Sequence, residues 1–387
     1  MKNAGFLNLP VWKDSLQGIL VKMGREDLLK LPLLGRENSD NAWPAFDRDE
    51  FFSLVETGIL FKGRPVKDFP PRIITSDSSL ALLRLEEGLY SSTFFSAAIG
   101  GTFPFINLLK DCCIERPVKF FSQNDAFAGF VLSTMEKSGK EIEEAFNDAR
   151  WKGIADDSSN LSLHGIVSRN RLVLQVAEIF GCYVNPEKIK TIGISSILKE
   201  DVSLAKGFGM SIRLLSIAEY DGKELKAITE PCMIPDRYFL AQARAGSEIL
   251  YVITSDNQSQ VYACPGSSAE TEARGIVKDL ESAGDASRKE LVRIDKVGDF
   301  ENKFYIRFDV TNLTSTLAEL LRIFETADIE IDNIRHLSVS YETVEGVPLV
   351  LFTKETTRNS LNKAIELIKR NIKLASIKAC FRIVDRG

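Results

Sequence analysis

The stretch from Lys303 to Val384 constrains the fold more than any other part of the chain. KFYIRFDV alternates apolar and polar residues, as a β-strand with two unlike faces does. Leu317, Leu320, Leu321 and Phe324 then recur at helical spacing. Two more strand-like runs, a second helical run and a last strand ending in FRIV complete the segment. Strand, helix, strand, strand, helix, strand is the order of ferredoxin-like domains. Upstream, SAGDASRKE (Ser282 to Glu290) has the small, polar composition of a linker. We therefore expect domains at residues 73–285 and 291–387, preceded by a less legible segment, residues 1–72.

The middle of the chain is organised around Trp151 to Leu174, WKGIADDSSNLSLHGIVSRNRLVL. A helix with Ile142, Ala145, Phe146 and Ala149 on one stripe leads into Gly153. A polar loop and Gly165 follow, then a second helix carrying Ile166, Leu172, Leu174 and Val176. Asp156, Asp157, Ser158, Ser159, Asn160, Arg169 and Arg171 converge on this junction, and loops between packed helices are where binding groups tend to sit. The same residues also suit a capped, solvated connection. Strand-type and helical runs alternate around it, which implies an α+β fold with a mostly antiparallel or mixed sheet covered by helices.

Composition narrows the function classes. A chain of 387 residues can bury two or three cores. A net charge of -5 argues against a nucleic-acid partner. The two histidines, His164 and His336, are too few for a His-rich metal site, and no metal is expected; both read as structural. No apolar run reaches the length of a bilayer span, and the N-terminus lacks the apolar core of a signal peptide. Cys112, Cys113, Cys182, Cys232, Cys264 and Cys380 show no CxxC spacing and read as reduced thiols of a cytoplasmic protein. No GxGxxG occurs anywhere, and the opening segment is about half the length of a doubly wound cofactor domain.

In register, the 151–174 stretch resembles the active-site segment of homoserine dehydrogenases, roughly GYAEPDPTxDLxGxDVARKL. Gly153, Ala155, Asp157, Ser158 and Gly165 to Leu172 fall on that pattern without a gap. IITSDSS lies on the family's VVTANK and reads as the last remnant of its nucleotide-binding domain, with Asp77 and Ser78 in place of Asn and Lys. SAAIGGTFPF resembles yEAxVGGGIPII, with Gly100 and Gly101 kept and Thr102 for the third glycine. In VKFFSQNDAFAGF, Asp125 and Ala126 stand for the Asn-Gly of GILNGTTNYIL. YACPGSS resembles GPGAG through Pro265 and Gly266. The tail resembles an ACT domain whose DxPGVLA turn has become Asn312 to Ala318.

The resemblance implies a homodimer and distributes roles. Gly100, Gly101, Ser158, Asn160 and Gly165 would face substrate, Pro265 and Gly266 the cofactor, and Asn312 and Ser315 an ACT ligand. Arg171, Asp156 and Asp157 are the candidates for catalysis. The family's proton-handling DxxxK pair is here Val167 and Arg171, and its later loop acid is Ser162. Arginine stays protonated at any working pH, so it orients an anion but cannot shuttle a proton. Arg171 is either a carboxylate clamp or a helix-surface arginine paired with an acid. Two functions follow. One is a regulatory dimer that binds an amino acid or a protein partner without autonomous dehydrogenase activity and without a cofactor. The other is an oxidoreductase of altered substrate using NADP or NAD, or one whose cofactor site is supplied by a partner.

Overall fold

The computed structural model describes strand residues 4–7, 33–34 and 53–56, and then residues 73–112, 115–155, 159–243, 245–266, 269–282, 289–336, 347–371 and 375–385. The first strands are β1 (Ala4–Leu7), β2 (Leu33–Leu34), β3 (Ser53–Glu56), β4 (Ile73–Thr75) and β5 (Thr93–Phe94). They form one parallel sheet in the order β2-β1-β3-β4-β5. That order is doubly wound, with its switch point between β1 and β3. The sheet crosses the expected boundary, because Leu54 pairs with Ile73. Helix α1 (Ser78–Glu86) makes the β4-to-β5 crossover that parallel strands require. Asp77 starts it, accepting the Ser79 and Leu80 N–H groups at 2.7 and 3.4 Å. The residue in the family's asparagine position is therefore a helix cap.

The central sheet holds β6 (Pro117–Gln123), β7 (Met210–Tyr220), β8 (Leu225–Pro235), β9 (Ser247–Thr254) and β10 (Ser259–Pro265). Neighbours in the order β10-β9-β6-β7-β8 are all antiparallel. The β7–β8 hairpin closes on Asp221, which accepts the Lys223 and Glu224 N–H groups, and on Gly222 at φ 99°. The helices around this sheet are α2 (Ser96–Ile99), α3 (Phe103–Cys112), α4 (Ala126–Ser138), α5 (Ile142–Trp151), α6 (Ser159–Leu163), α7 (Ile166–Phe180), α8 (Lys199–Gly207) and α9 (Ala269–Ser282), the last packed on α2 and on β4 of the parallel sheet. The innermost is α7, whose Leu172, Val173, Leu174 and Val176 are wholly buried. Asp279 of α9 binds both the backbone N–H and the hydroxyl of Ser96, fixing α9 across the start of α2.

The C-terminal unit is β11 (Phe304–Val310), α10 (Leu313–Thr326), β12 (Ile331–His336), β13 (Val347–Thr353), α11 (Arg358–Asn371) and β14 (Ala375–Ile383). Its antiparallel order β14-β11-β13-β12 is the ferredoxin-like one expected from the sequence. The unit is no detached module, since β14 pairs in parallel with β8 through Cys232–Arg382 and Met233–Ile383. Every residue of FYIRFDV is buried. Phe304, Ile306, Phe308 and Val310 face α10 and α11, while Tyr305 packs among residues of α4 and α8.

Buried charges fasten this seam. Arg307 sends Nε and Nη2 to Asp201 Oδ1 of α8 at 2.9 and 2.7 Å. Glu230 of β8 takes Arg358 Nη2 at 2.6 Å on one oxygen and Arg382 Nε on the other. Both guanidiniums lie against the Phe304 ring, at 4.6 and 5.0 Å from its centroid. Burial pushes both carboxyls up. At Glu230 two guanidiniums outweigh it and hold the group below its ordinary value; at Asp201 the single Arg307 does not, and the group stays above.

Candidate functional site

The site is built where the end of β6, the start of β9 and the first turns of α7 meet. Gly165, at φ 75°, turns the chain into α7, and a side chain there would press on the Ile192 carbonyl at 3.2 Å. Six residues on, Arg171 donates from Nη1 to the Asn124 carbonyl at 2.6 Å and to Glu248 Oε1 at 3.1 Å. Glu248 is fully buried, and its other oxygen accepts the Gly101 N–H at 2.8 Å. Arg171 is thus paired with an acid, as one sequence reading held, but inside the protein rather than on the helix surface.

A neutral network continues beneath it. Asn124 Nδ2 donates to the Ser168 carbonyl and to Gln175 Oε1, and Gln175 Nε2 donates to Thr102 Oγ1 and Ser122 Oγ. Ser216 joins through Asn124 Oδ1 and Thr229. Thr102, which replaces the family's third glycine, therefore anchors α7 to the glycine turn. Asn124, Gln175 and Glu248 escape a reading of the sequence alone. Gln175 lies one helical turn beyond Arg171 on the same face, a signal that was available. Glu248 opens the apolar run EILYVI, where a carboxylate at a buried strand end calls for a partner.

The glycine turn and the Pro265–Gly266 turn do come together. A Cβ on Gly101 would lie 2.8 Å from the Pro265 carbonyl oxygen and 2.9 Å from Cys264 Sγ. One on Gly266 would strike the Ala126 Cβ and the Gly246 carbonyl at 2.2 and 2.3 Å. Gly100, at φ 95°, ends α2 and makes the turn possible. The two turns that the resemblance places around cofactor and substrate are therefore packed directly on one another. Burial pushes the Cys264 thiol up to about 12, which keeps it protonated and unreactive.

Other expected residues lie elsewhere. Asp156, Asp157 and Ser158 fall outside the described residues. Asn160 is exposed on α6 and His164 is exposed beyond it. Arg169 pairs with the exposed Glu187 at 2.9 Å. Asn312 accepts the Ser315 N–H at 3.3 Å as the cap of α10, and Ser315 faces solvent. On either side of Asn124 in sequence, Gln123 Oε1 and Asp125 Oδ2 are buried without a hydrogen-bond partner. Among the described residues no group of His, Cys, Asp and Glu could hold a metal, and no helix is long and apolar enough to cross a membrane.

A doubly wound parallel sheet thus stands beside a helix-covered antiparallel sheet that carries a polar site. Residues 104–280 match the homoserine dehydrogenase family model. The homoserine dehydrogenase of Bacillus subtilis is 21% identical over 76% of this chain and 70% of its own. That of Corynebacterium glutamicum is 20% identical over 95% of this chain and 84% of its own. The solved homoserine dehydrogenase of Thiobacillus denitrificans superposes with TM-score 0.80 at 19% identity, covering 100% of this chain and 98% of that one. The chain is thus similar to homoserine dehydrogenases through its middle and shares the fold of the solved ones. β1 is followed by Asn8-Leu9-Pro10-Val11-Trp12-Lys13, with no glycine where a pyrophosphate-binding turn needs three.

Proposed function

We propose that this protein of amino-acid metabolism does not carry out hydride transfer on its own and acts as a regulatory, amino-acid-binding homodimer. One observation carries the reading. The position of the family's proton-handling lysine holds Arg171, which remains charged and is tied to Glu248 and the Asn124 carbonyl. Val167, in place of the partner aspartate, can move no proton. The glycine-free run after β1 and the contact between the Gly101 and Pro265 turns do not fit a nicotinamide dinucleotide, so no step is derived through one. What survives is a set of groups suited to an amino acid. Arg171 is an anion-binding group whose side chain keeps 14% exposure, where a ligand carboxylate can reach it.

The doubly wound order β2-β1-β3-β4-β5 favours a second reading, an NAD(P)-dependent oxidoreductase of altered substrate. A homoserine dehydrogenase of related fold, TM-score 0.56, has been solved with NADPH. Calorimetric titration separates the two. We expect heat from homoserine or another small amino acid and none from NADP(H) or NAD(H). Tight nicotinamide binding with turnover of homoserine would establish the oxidoreductase instead.

A further inference from the structure

Away from that site, a cleft of about 320 Å3 opens where the C-terminal unit meets the central sheet. Its floor is apolar: Phe208 and Met210 come from the α8–β7 junction, Phe352 and Ile383 from β13 and β14. The Phe208 and Phe352 rings stand at 85° with centroids 5.3 Å apart, and both are only half-buried, so ring surface is left for a ligand. Its rim carries Arg237 and Lys303 against Asp332 and Asp385. Lys303 Nζ and Asp332 Oδ2 approach only to 4.0 Å, an exposed pair of little worth that a ligand can replace. Arg237 is held at the rim by stacking on Tyr238, 4.7 Å from the ring centroid, with Nη2 donating to the hydroxyl at 3.2 Å.

Two cations and two anions leave the rim neutral, which gives a polyanion or polycation no advantage. The arrangement fits a molecule with one charge of each sign beside an apolar body. We propose that this cleft binds a free α-amino acid with a large apolar side chain. Its carboxylate meets Arg237 and Lys303, its ammonium meets Asp332 and Asp385, and its side chain lies on Phe208 and Phe352. The volume is that of a small-molecule site. Because the floor comes from both units, the ligand also bridges them and stabilises their junction by mass action.

The test is calorimetry on the full chain with L-leucine as probe. Isoamylamine, which lacks the carboxylate, and 4-methylpentanoate, which lacks the ammonium, serve as controls. Leucine should bind, and each control should bind at least tenfold more weakly. Arg237→Ala and Asp385→Asn are surface changes that leave the core untouched, and each should weaken leucine at least tenfold, whereas Arg171→Met should not. Absence of leucine binding, equal binding of either control, or loss in Arg171→Met with Arg237→Ala unaffected would each overturn the proposal. The last result would move the ligand to the Arg171 site.

Discussion

Glu230 at the seam and Glu248 at the candidate site are both buried carboxylates held by arginine, yet they are built for different ends. Glu230 is shared by two guanidiniums, Arg358 and Arg382, each no more than 3% exposed and each stacked on Phe304. Glu248 binds the Arg171 guanidinium and the Gly101 N–H, and the Arg171 side chain keeps 14% exposure. The first cluster is closed to water and ligands and can only join two parts of the molecule. The second leaves a charged edge in reach of a small molecule. A buried ion pair is weak evidence for stability by itself. Here the solvent left to the cations separates a structural joint from a site.

That contrast sets an order of effects. Glu230→Ala strands two buried arginines and should cost about 3–5 kcal/mol of stability, read from urea unfolding. Glu248→Ala strands one arginine that can turn toward water, and about 2 kcal/mol is expected. A larger loss at Glu248 than at Glu230 would break the comparison. Acid sharpens it. The folded-state carboxyl of Glu230 lies below its ordinary value of 4.5, so its stabilisation is fully present above that pH. It is lost as pH falls through the lower, folded value. The stability gap between wild type and Glu230→Gln should therefore hold from pH 7 to 5 and close below 4.5. Asp201, raised by burial, has the opposite sign, and wild type should gain on Asp201→Asn over the same acid range. A gap at Glu230 that widens in acid would contradict the joint described here.

The C-terminal unit was legible because its elements are long and periodic and pair with near neighbours in sequence. FYIRFDV and the Leu317 to Phe324 stripe each carry their own period, and the β-α-β-β-α-β order follows. What the period cannot tell is that both faces of β11 are covered, since Arg307 looks like a solvent residue until Asp201 is seen opposite it. The opening sheet was illegible for the converse reason. Its strands are two to four residues long, join in parallel across long crossovers, and lack the glycine signature that usually marks them. At the site, the kept glycines and Arg171 could be read from the 151–174 and 100–101 stretches. Their partners Asn124 and Glu248 stand 47 and 77 residues from Arg171, beyond any local pattern.

The site side of the comparison can be tested by returning the family's residues. Val167→Asp with Arg171→Lys restores a proton-handling pair in place, while Glu248 remains to neutralise the lysine. We expect no NADPH-dependent turnover, because the run after β1 still lacks its glycines, and a stability loss of about 1 kcal/mol from a weaker hydrogen-bond set. Recovered turnover would mean that Arg171 alone had silenced a working cofactor sheet.

The smallest effect is expected at Asn312, in the C-terminal unit but away from the Glu230 joint. Its side chain accepts one N–H at the start of α10 and nothing in the structure asks more of it. Asn312→Ala should therefore cost about 1 kcal/mol, the usual loss of a helix cap, with amino-acid binding unchanged. Asn312→Asp should recover that loss, since a carboxylate caps as well and suits the positive end of the helix. Loss of amino-acid binding in Asn312→Ala, with stability held, would make the turn a ligand site after all. It would also put a ligand at the position that the ACT resemblance implied.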